Sequence, residues 1–175
     1  MTVRSLLADP STSGPWTLAA DRSSVRFSNK TLWGLFTVKG QFTDVAGSGD
    51  IGADGAVAGR LVIRADSLAT GIGKRDEHLR SPDFFDTDAS PEIVIEVTGA
   101  TPTGEHTADL NATLTVRGTT RPLPVQATVT LLGNDTLHVV GRATIDRTEW
   151  GVSGNMAGMM PTTTSLMADT TFLKS

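Results

Sequence analysis

The sequence of 175 residues contains no cysteine. This absence excludes disulfide bonds, thiolate metal ligands and a cysteine nucleophile, and it leaves the redox compartment undecided. Long apolar runs are missing as well. The Leu6-Leu7-Ala8 stretch is shorter than the roughly 7–15 residues of a signal-peptide core, and no segment approaches the roughly 18 residues of a membrane span. We therefore expect a cytoplasmic protein without a membrane span.

Strong charge and catalytic motifs are also absent. The net charge is −4, with acidic and basic residues interspersed, whereas a nucleic-acid-binding protein normally carries a basic stripe interleaved with aromatic residues. Neither the Gly-x-Ser-x-Gly nucleophile motif nor the His-Glu-x-x-His zinc motif occurs. The acidic run from Asp83 to Glu92 lacks the glycine and the distal glutamate of a calcium loop. We expect no nucleic-acid partner, no metal and no cofactor.

From Trp16 onward, apolar and polar residues alternate along most of the chain. Period two over so many segments predicts β-strands with one dry face and one wet face. Turn sequences such as Asp54-Gly55 and Gly133-Asn134-Asp135 separate the segments and are typical of hairpins. Such a meander closes most easily as an up-and-down barrel, although a two-sheet sandwich would show the same alternation. Glycines within the apolar rows, at positions 40, 59 and 141, favour closure.

Two segments depart from this alternation. Residues 1–15 are rich in Ser, Thr, Pro and Gly and predict a flexible leader, which leaves residues 16–175 for one barrel domain. Between Gly71 and Pro91 helix-forming residues replace the alternation, and Pro82 ends them. We expect a short helix and loop over about residues 72–90, lying across the barrel mouth.

The same irregular segment carries the motifs of a known family. These are Ser67-Leu68-Ala69-Thr70-Gly71, Arg75-Asp76-Glu77-His78-Leu79-Arg80-Ser81, Asp83-Phe84-Phe85-Asp86 and Pro91-Glu92-Ile93. Further blocks follow the family's order: Trp16-Thr17-Leu18, residues 34–42, residues 114–122 and residues 145–152. Over residues 16–174 the chain resembles the YceI-like family.

This resemblance implies an all-β fold, a single antiparallel eight-stranded lipocalin-like β-barrel that binds a polyisoprenoid or a similar long-chain lipid in its lumen. No catalytic residues are established for the family in general, so none is assigned to this chain. Many relatives are exported to the periplasm. Many also carry a histidine-containing stretch where this sequence has Asn29-Lys30-Thr31-Leu32-Trp33.

Strand parity selects the residues that would face a ligand in the lumen. The predicted lumen residues are Phe27, Phe36, Val38, Phe42, Leu61, Ile63, Ile95, Leu114, Val139 and Leu166. A second set would contact the ligand's head group at the mouth with polar and adaptable side chains. The predicted mouth residues are Arg75, Asp76, His78, Phe84, Phe85, Trp150, Met156, Met159 and Met160. No charged residue lies on the inward rows, which argues against a polar ligand inside.

Two pairs within the mouth set have alternative interpretations. Asp76 and His78 are the best titratable pair, but residues two apart on a helix point to different sides, which is awkward for a catalytic dyad. We interpret Asp76 as a helix cap and His78 as an anchor against the rim. For Phe84 and Phe85, either one plugs the mouth while the other contacts the surface, or both close over a ligand.

The sequence therefore predicts a non-catalytic carrier, buffer or sensor of a long-chain isoprenoid or similar lipid. Its partner is a hydrophobic small molecule, and the oligomeric state is left open, a homodimer included. Two alternatives remain at this point. One is a barrel enzyme acting on a quinone or lipid, and the other is a partner-binding module with a solid core.

Overall fold

The structure is a computed structural model, and it describes residues 1–30, 37–154 and 161–175. These residues contain two α-helices, α1 (Val3–Ala8) and α2 (Gly73–Arg80). The strands in the same ranges are β1 (Gly14–Leu18), β2 (Ser24–Lys30), β3 (Thr37–Phe42), β4 (Val45–Ile51), β5 (Val57–Arg64), β6 (Leu68–Ala69), β7 (Glu92–Pro102), β8 (Thr107–Val116), β9 (Thr119–Pro122), β10 (Val125–Leu132), β11 (Thr136–Asp146) and β12 (Thr163–Lys174). In the described part of the chain, no helix is both long and apolar enough to cross a membrane.

Several of these strands are halves of one longer, bent strand. β1 and β2 pair with the same edge of β12 and together form one bent strand. β3 and β4 together form the strand beside it, and β5 and β6 both pair with that second bent strand. β9 and β10 pair with β8 in the same way. When each bent pair is counted once, the described residues form an eight-stranded antiparallel barrel.

Pairing between the first and last strands closes the barrel. Trp16 pairs with Lys174 and Leu18 with Phe172, so the sheet has no open side along this seam. Closure confirms the predicted barrel and excludes the sandwich. The predicted inward rows also align across the sheet, because Leu61 pairs with Ile95 and Ile95 pairs with Leu114.

The predicted helix across the mouth is confirmed as α2, which ends shortly before Pro82. The loop that follows folds back under the helix, where the backbone N–H groups of Phe85 and Thr87 donate to the carbonyls of Leu79 and Arg80. We call residues 70–91 the lid.

The expected flexible leader is wrong in the structure. Residues 3–8 form α1, and the side chains of Val3 and Leu6 are each only 3% exposed. The Thr2 hydroxyl accepts a hydrogen bond from the Ser5 backbone N–H and caps the helix. The composition suggested disorder, but two apolar residues three apart give this short helix one buried face.

Gly40 lies in an apolar row, as predicted, but its space is already filled. A Cβ at this position would overlap the Phe27 ring, which lies across it from β2. That ring is held in turn by Phe42 at 5.5 Å and Phe85 at 6.1 Å between ring centroids. The glycine therefore makes room for an aromatic neighbour.

Gly40→Ala should lower the free energy of unfolding by about 1–3 kcal/mol, because a methyl group forces the packed ring to move. Urea denaturation measures this difference. Gly59→Ala is the matched control, since a Cβ there would find its nearest neighbour at 3.5 Å. Equal losses in the two variants would show that the Phe27 ring is not the cause.

Candidate functional site

A long cavity runs through the interior of the described barrel, with a volume of about 250 Å³. Its surface is almost entirely apolar. The volume lies just below the ~300–1,000 Å³ of typical small-molecule pockets, which favours a slender ligand over a bulky one.

Most of the predicted lumen residues lie in the wall of this cavity. They are Phe27, Phe42, Leu61, Ile63, Ile95, Leu114, Val139 and Leu166. Val38 is buried and pairs with Asn29, but it does not reach the cavity surface. Phe36 lies outside the described residues. Contact of these side chains with a ligand stays a prediction.

The predicted mouth residues divide into two groups. Phe84, Phe85 and Trp150 line the cavity, whereas Arg75, Asp76 and His78 do not. Met156, Met159 and Met160 lie outside the described residues. The aromatic members thus form the upper end of the cavity, and the charged ones face away from it.

Both lid phenylalanines point inward, so neither is a surface contact. Phe84 is 1% exposed, and Phe85 packs edge-on against Phe42, with ring centroids 5.8 Å apart. Trp150, another predicted mouth residue, is also buried, and its indole N–H donates to the Leu114 carbonyl at 2.8 Å. The upper end of the cavity is therefore lined by aromatic rings.

Asp76 and Arg75 stabilise the lid instead of contacting the cavity. The Asp76 carboxylate accepts hydrogen bonds from the Thr70 backbone N–H and hydroxyl. Arg75 donates from Nε to the same hydroxyl at 2.8 Å and from a terminal nitrogen to the Thr70 carbonyl at 2.9 Å. The N-cap position of α2 is Ile72, so Asp76 is not the predicted cap. Asp76 instead joins α2 to Thr70, the residue that follows β6.

His78 lies on the outer side of the lid. Its Nε2 is 3.1 Å from Asp83 Oδ2, and its ring packs edge-on against Phe84 with centroids 5.1 Å apart. The Asp83 side chain is 71% exposed, so the pair is a surface contact. His78 therefore contacts other residues of the lid, and its anchoring against the rim stays a prediction.

His78→Ala should lower the free energy of unfolding by about 1 kcal/mol, because it removes one exposed contact and one ring neighbour. Lipid binding should be unchanged, since the imidazole does not line the cavity. Chemical denaturation and a lipid titration on the same sample measure both quantities. Loss of lipid binding at unchanged stability would contradict this placement.

Arg147 was missed by the sequence reasoning, although it is a charged residue in the cavity wall. Its side chain is buried and donates to the carbonyls of Val152 at 2.6 Å and Pro161 at 3.3 Å. Its guanidinium carbon is 5.6 Å from the Phe84 ring centroid. Burial lowers the pKa of this group from its usual value, with a smaller opposing effect from Asp146. The expectation of an uncharged interior is therefore wrong at the mouth.

The other polar side chains on the inward face have partners within the protein. The Asn29 amide donates to the carbonyls of Pro161 and Thr163, and its oxygen accepts from the Thr164 hydroxyl at 3.0 Å. The Thr170 hydroxyl donates to the Val139 carbonyl at 2.7 Å. Because these bonds are made internally, the groups cost little to bury and offer a ligand few free contacts.

The histidine–carboxylate pair of β11 and β12 lies away from the cavity. His138 Nε2 is 2.7 Å from Asp169 Oδ1, but neither residue lines the cavity. Among the described residues, no group of three or more His, Asp or Glu side chains is arranged to hold a metal ion.

Comparison with known proteins gives consistent matches. A sequence profile for the YceI-like domain matches residues 16–172. A UPF0312 protein of Pseudomonas syringae pv. tomato is 31% identical over 146 residues, which are 79% of this chain and 74% of that protein.

Solved structures show the same fold at low sequence identity. BcnA of Burkholderia cenocepacia superposes with a TM-score of 0.80 at 17% identity, covering 88% of this chain and 98% of BcnA. A polyisoprenoid-binding domain of Saccharophagus degradans, implicated in plant cell wall breakdown, superposes with a TM-score of 0.75 at 20% identity, covering 91% and 98% of the two chains.

Proposed function

Because the chain belongs to the YceI-like family, we propose that it binds a long-chain lipid of the isoprenoid type inside its barrel and does not chemically alter it. The observation that supports this proposal is the narrow apolar cavity that extends from the lid through the barrel. An apolar chain placed there loses its contact with water, which contributes roughly 25 cal/mol for each Å² buried.

The walls of the cavity favour a slender ligand. Large side chains such as Leu61 and Ile95 lie side by side on neighbouring strands and both line the cavity, which narrows the lumen. The inward polar groups are already hydrogen-bonded, so they do not require a polar ligand. An extended hydrocarbon chain fits these walls better than a folded or polar molecule.

The Saccharophagus neighbour is a polyisoprenoid-binding domain with the same fold. This supports an isoprenoid as the first class of lipid to test. Arg147 places a buried positive charge in the cavity wall at the mouth, which favours a carbonyl or anionic head over a cationic one.

Binding without catalysis is supported by the positions of the titratable groups. Asp76 and His78 face away from the cavity, and Arg147 keeps its proton under all ordinary conditions. The enzyme alternative would need a base in contact with the lumen. The alternative of a solid core is not supported, because the interior contains a cavity.

The test is organic extraction of the purified protein, followed by mass spectrometry of the extract. A second extraction follows incubation with vesicles that contain polyprenyl lipids and fatty acids. We expect an isoprenoid to co-purify or to be taken up at one molecule per barrel, and to be recovered unchanged. If no lipid is found before or after incubation, the proposed function is wrong.

A further inference from the structure

Helix α1 closes the end of the barrel opposite the lid. The backbone N–H of Val3 donates to the Glu105 carbonyl in the β7–β8 turn at 2.7 Å. Leu7 lies against the β4–β5 turn, close enough that a Cβ on Gly55 would come within 2.9 Å of its carbonyl oxygen. The helix is therefore attached to two separate turns at the rim of this end.

The residues after α1 attach it to the closing seam of the barrel. The Thr12 hydroxyl donates to the Leu6 carbonyl at 2.5 Å, and the Trp16 indole N–H donates to the Thr12 carbonyl at 3.0 Å. The Lys174 ammonium donates to the carbonyls of Ser11 and Ser13. Contacts on several sides make α1 a fixed part of the barrel end.

The inner face of α1 is part of the cavity wall. Val3, Leu6 and Leu7 all line the cavity. Leu6 packs in a buried cluster with Trp16, Ile51 and Leu137, to which Val139 adds a partly buried side chain. We call this cluster, together with Val3 and Leu7, the floor. It meets the cavity with apolar groups.

The floor limits the depth of the cavity. Leu137 and Ile145 lie at opposite ends of the inward row of β11, and both line the cavity. At ~3.3 Å per residue the strand rises roughly 26 Å between them, which corresponds to roughly 20 Å along the axis of a barrel whose strands tilt by about 40°. A tail longer than this must leave its surplus outside the mouth.

We propose that the floor formed by α1 sets the longest apolar tail that the barrel encloses, so that the protein selects lipids by tail length. The inference rests on the proposed function. The helix lies ahead of residues 16–172, the range that matches the family domain. The length limit is accordingly assigned to residues outside the matched domain. Each methylene that enters the cavity raises affinity about fourfold, and a methylene held in water adds nothing.

The test uses benzoquinones that share one head group and carry linear alkyl tails lengthened one methylene at a time. Dissociation constants are measured by quenching of tryptophan fluorescence. For the wild-type protein we expect affinity to rise with tail length and then to stop rising. The tail length at which the rise ends is the quantity to compare.

Three variants test whether the floor sets the tail length at which the rise in affinity ends. Leu6→Ala removes a floor side chain and should shift the end of the rise to longer tails. Val139→Phe enlarges a floor side chain that lines the cavity and should shift the end of the rise to shorter tails. Arg4→Ala, on the exposed face of the same helix, is the matched control and should leave it unchanged. Circular dichroism verifies that each variant is folded.

The outcomes separate this inference from the proposed function. If the wild-type protein binds no member of the series, the proposed function itself fails. If the wild-type protein binds but the rise ends at the same length in Leu6→Ala and Val139→Phe, lipid binding stands and the floor does not set the length. Opposite shifts in these two folded variants support the inference, and Val139→Phe tests it even if Leu6→Ala does not fold.

Discussion

Leu61→Arg is expected to abolish lipid uptake while the barrel stays closed. Leu61 lies on β5, pairs with Ile95 and lines the cavity, so its replacement places a guanidinium among apolar side chains. An unpaired charge in such surroundings costs several kcal/mol, and water drawn in to solvate it occupies the path of the tail. Both effects act against an apolar ligand and neither breaks the strand pairing.

Val62→Arg is the matched control for this variant. Val62 is the next residue of the same strand, and it does not line the cavity, so the same charge is placed on the opposite face. Lipid extracted from each purified protein is measured against wild type. Normal lipid content in Leu61→Arg would show that the ligand does not occupy the lumen. Equal loss in both variants would indicate that charge on β5, rather than charge in the cavity, is responsible.

The walls of the barrel could be predicted from the sequence because strand geometry is periodic. Once residues alternate between two faces, a single buried residue such as Ile63 places Leu61 on the same side. The same reasoning placed Leu114 and Val139 correctly in the cavity wall. Strand parity does not show how far along a strand the cavity extends. Val38 was therefore predicted to line the lumen, although it is buried and does not line the cavity.

Barrel closure and the lid required more than periodicity. Alternation alone also suits a sandwich, and the contact that closes the ring joins Leu18 to Phe172, which are far apart in sequence. In the lid, Phe84 and Phe85 are consecutive yet both point inward, because the loop folds back beneath α2. No strand or helix period describes such a loop, so its side-chain directions could not be assigned beforehand.

Two parts of the site had no periodic signal at all. Arg147 lies in a short turn after β11, where parity ends, and its burial depends on carbonyls from Val152 and Pro161. The α1 helix has only six residues in a segment of disorder-prone composition. Such a short helix is unstable alone and is held by the barrel it closes, which is tertiary information.

Phe84→Ala is expected to destabilise the protein by about 3–5 kcal/mol, the usual loss for a buried phenylalanine. Phe84 is the centre of the lid, since it lies between the His78 ring at 5.1 Å and the Arg147 guanidinium at 5.6 Å. Its carbonyl also accepts a hydrogen bond from Arg117 at 2.9 Å. A cavity at this position removes contacts on both sides of the ring and leaves a buried cation without its aromatic neighbour.

Phe85→Ala provides the comparison, because the two rings are adjacent in sequence but differ in surroundings. Phe85 is only partly buried, whereas Phe84 is 1% exposed, so the removal of Phe85 should cost less stability than the removal of Phe84. Its loss should instead weaken lipid binding, since that ring forms part of the surface offered to the ligand. Urea denaturation of the lipid-free proteins gives the stabilities, and titration with a prenyl quinone gives the affinities. If Phe85→Ala were the more destabilised of the two, the lid would depend on the less buried ring, and the assignment of Phe84 as its centre would be wrong.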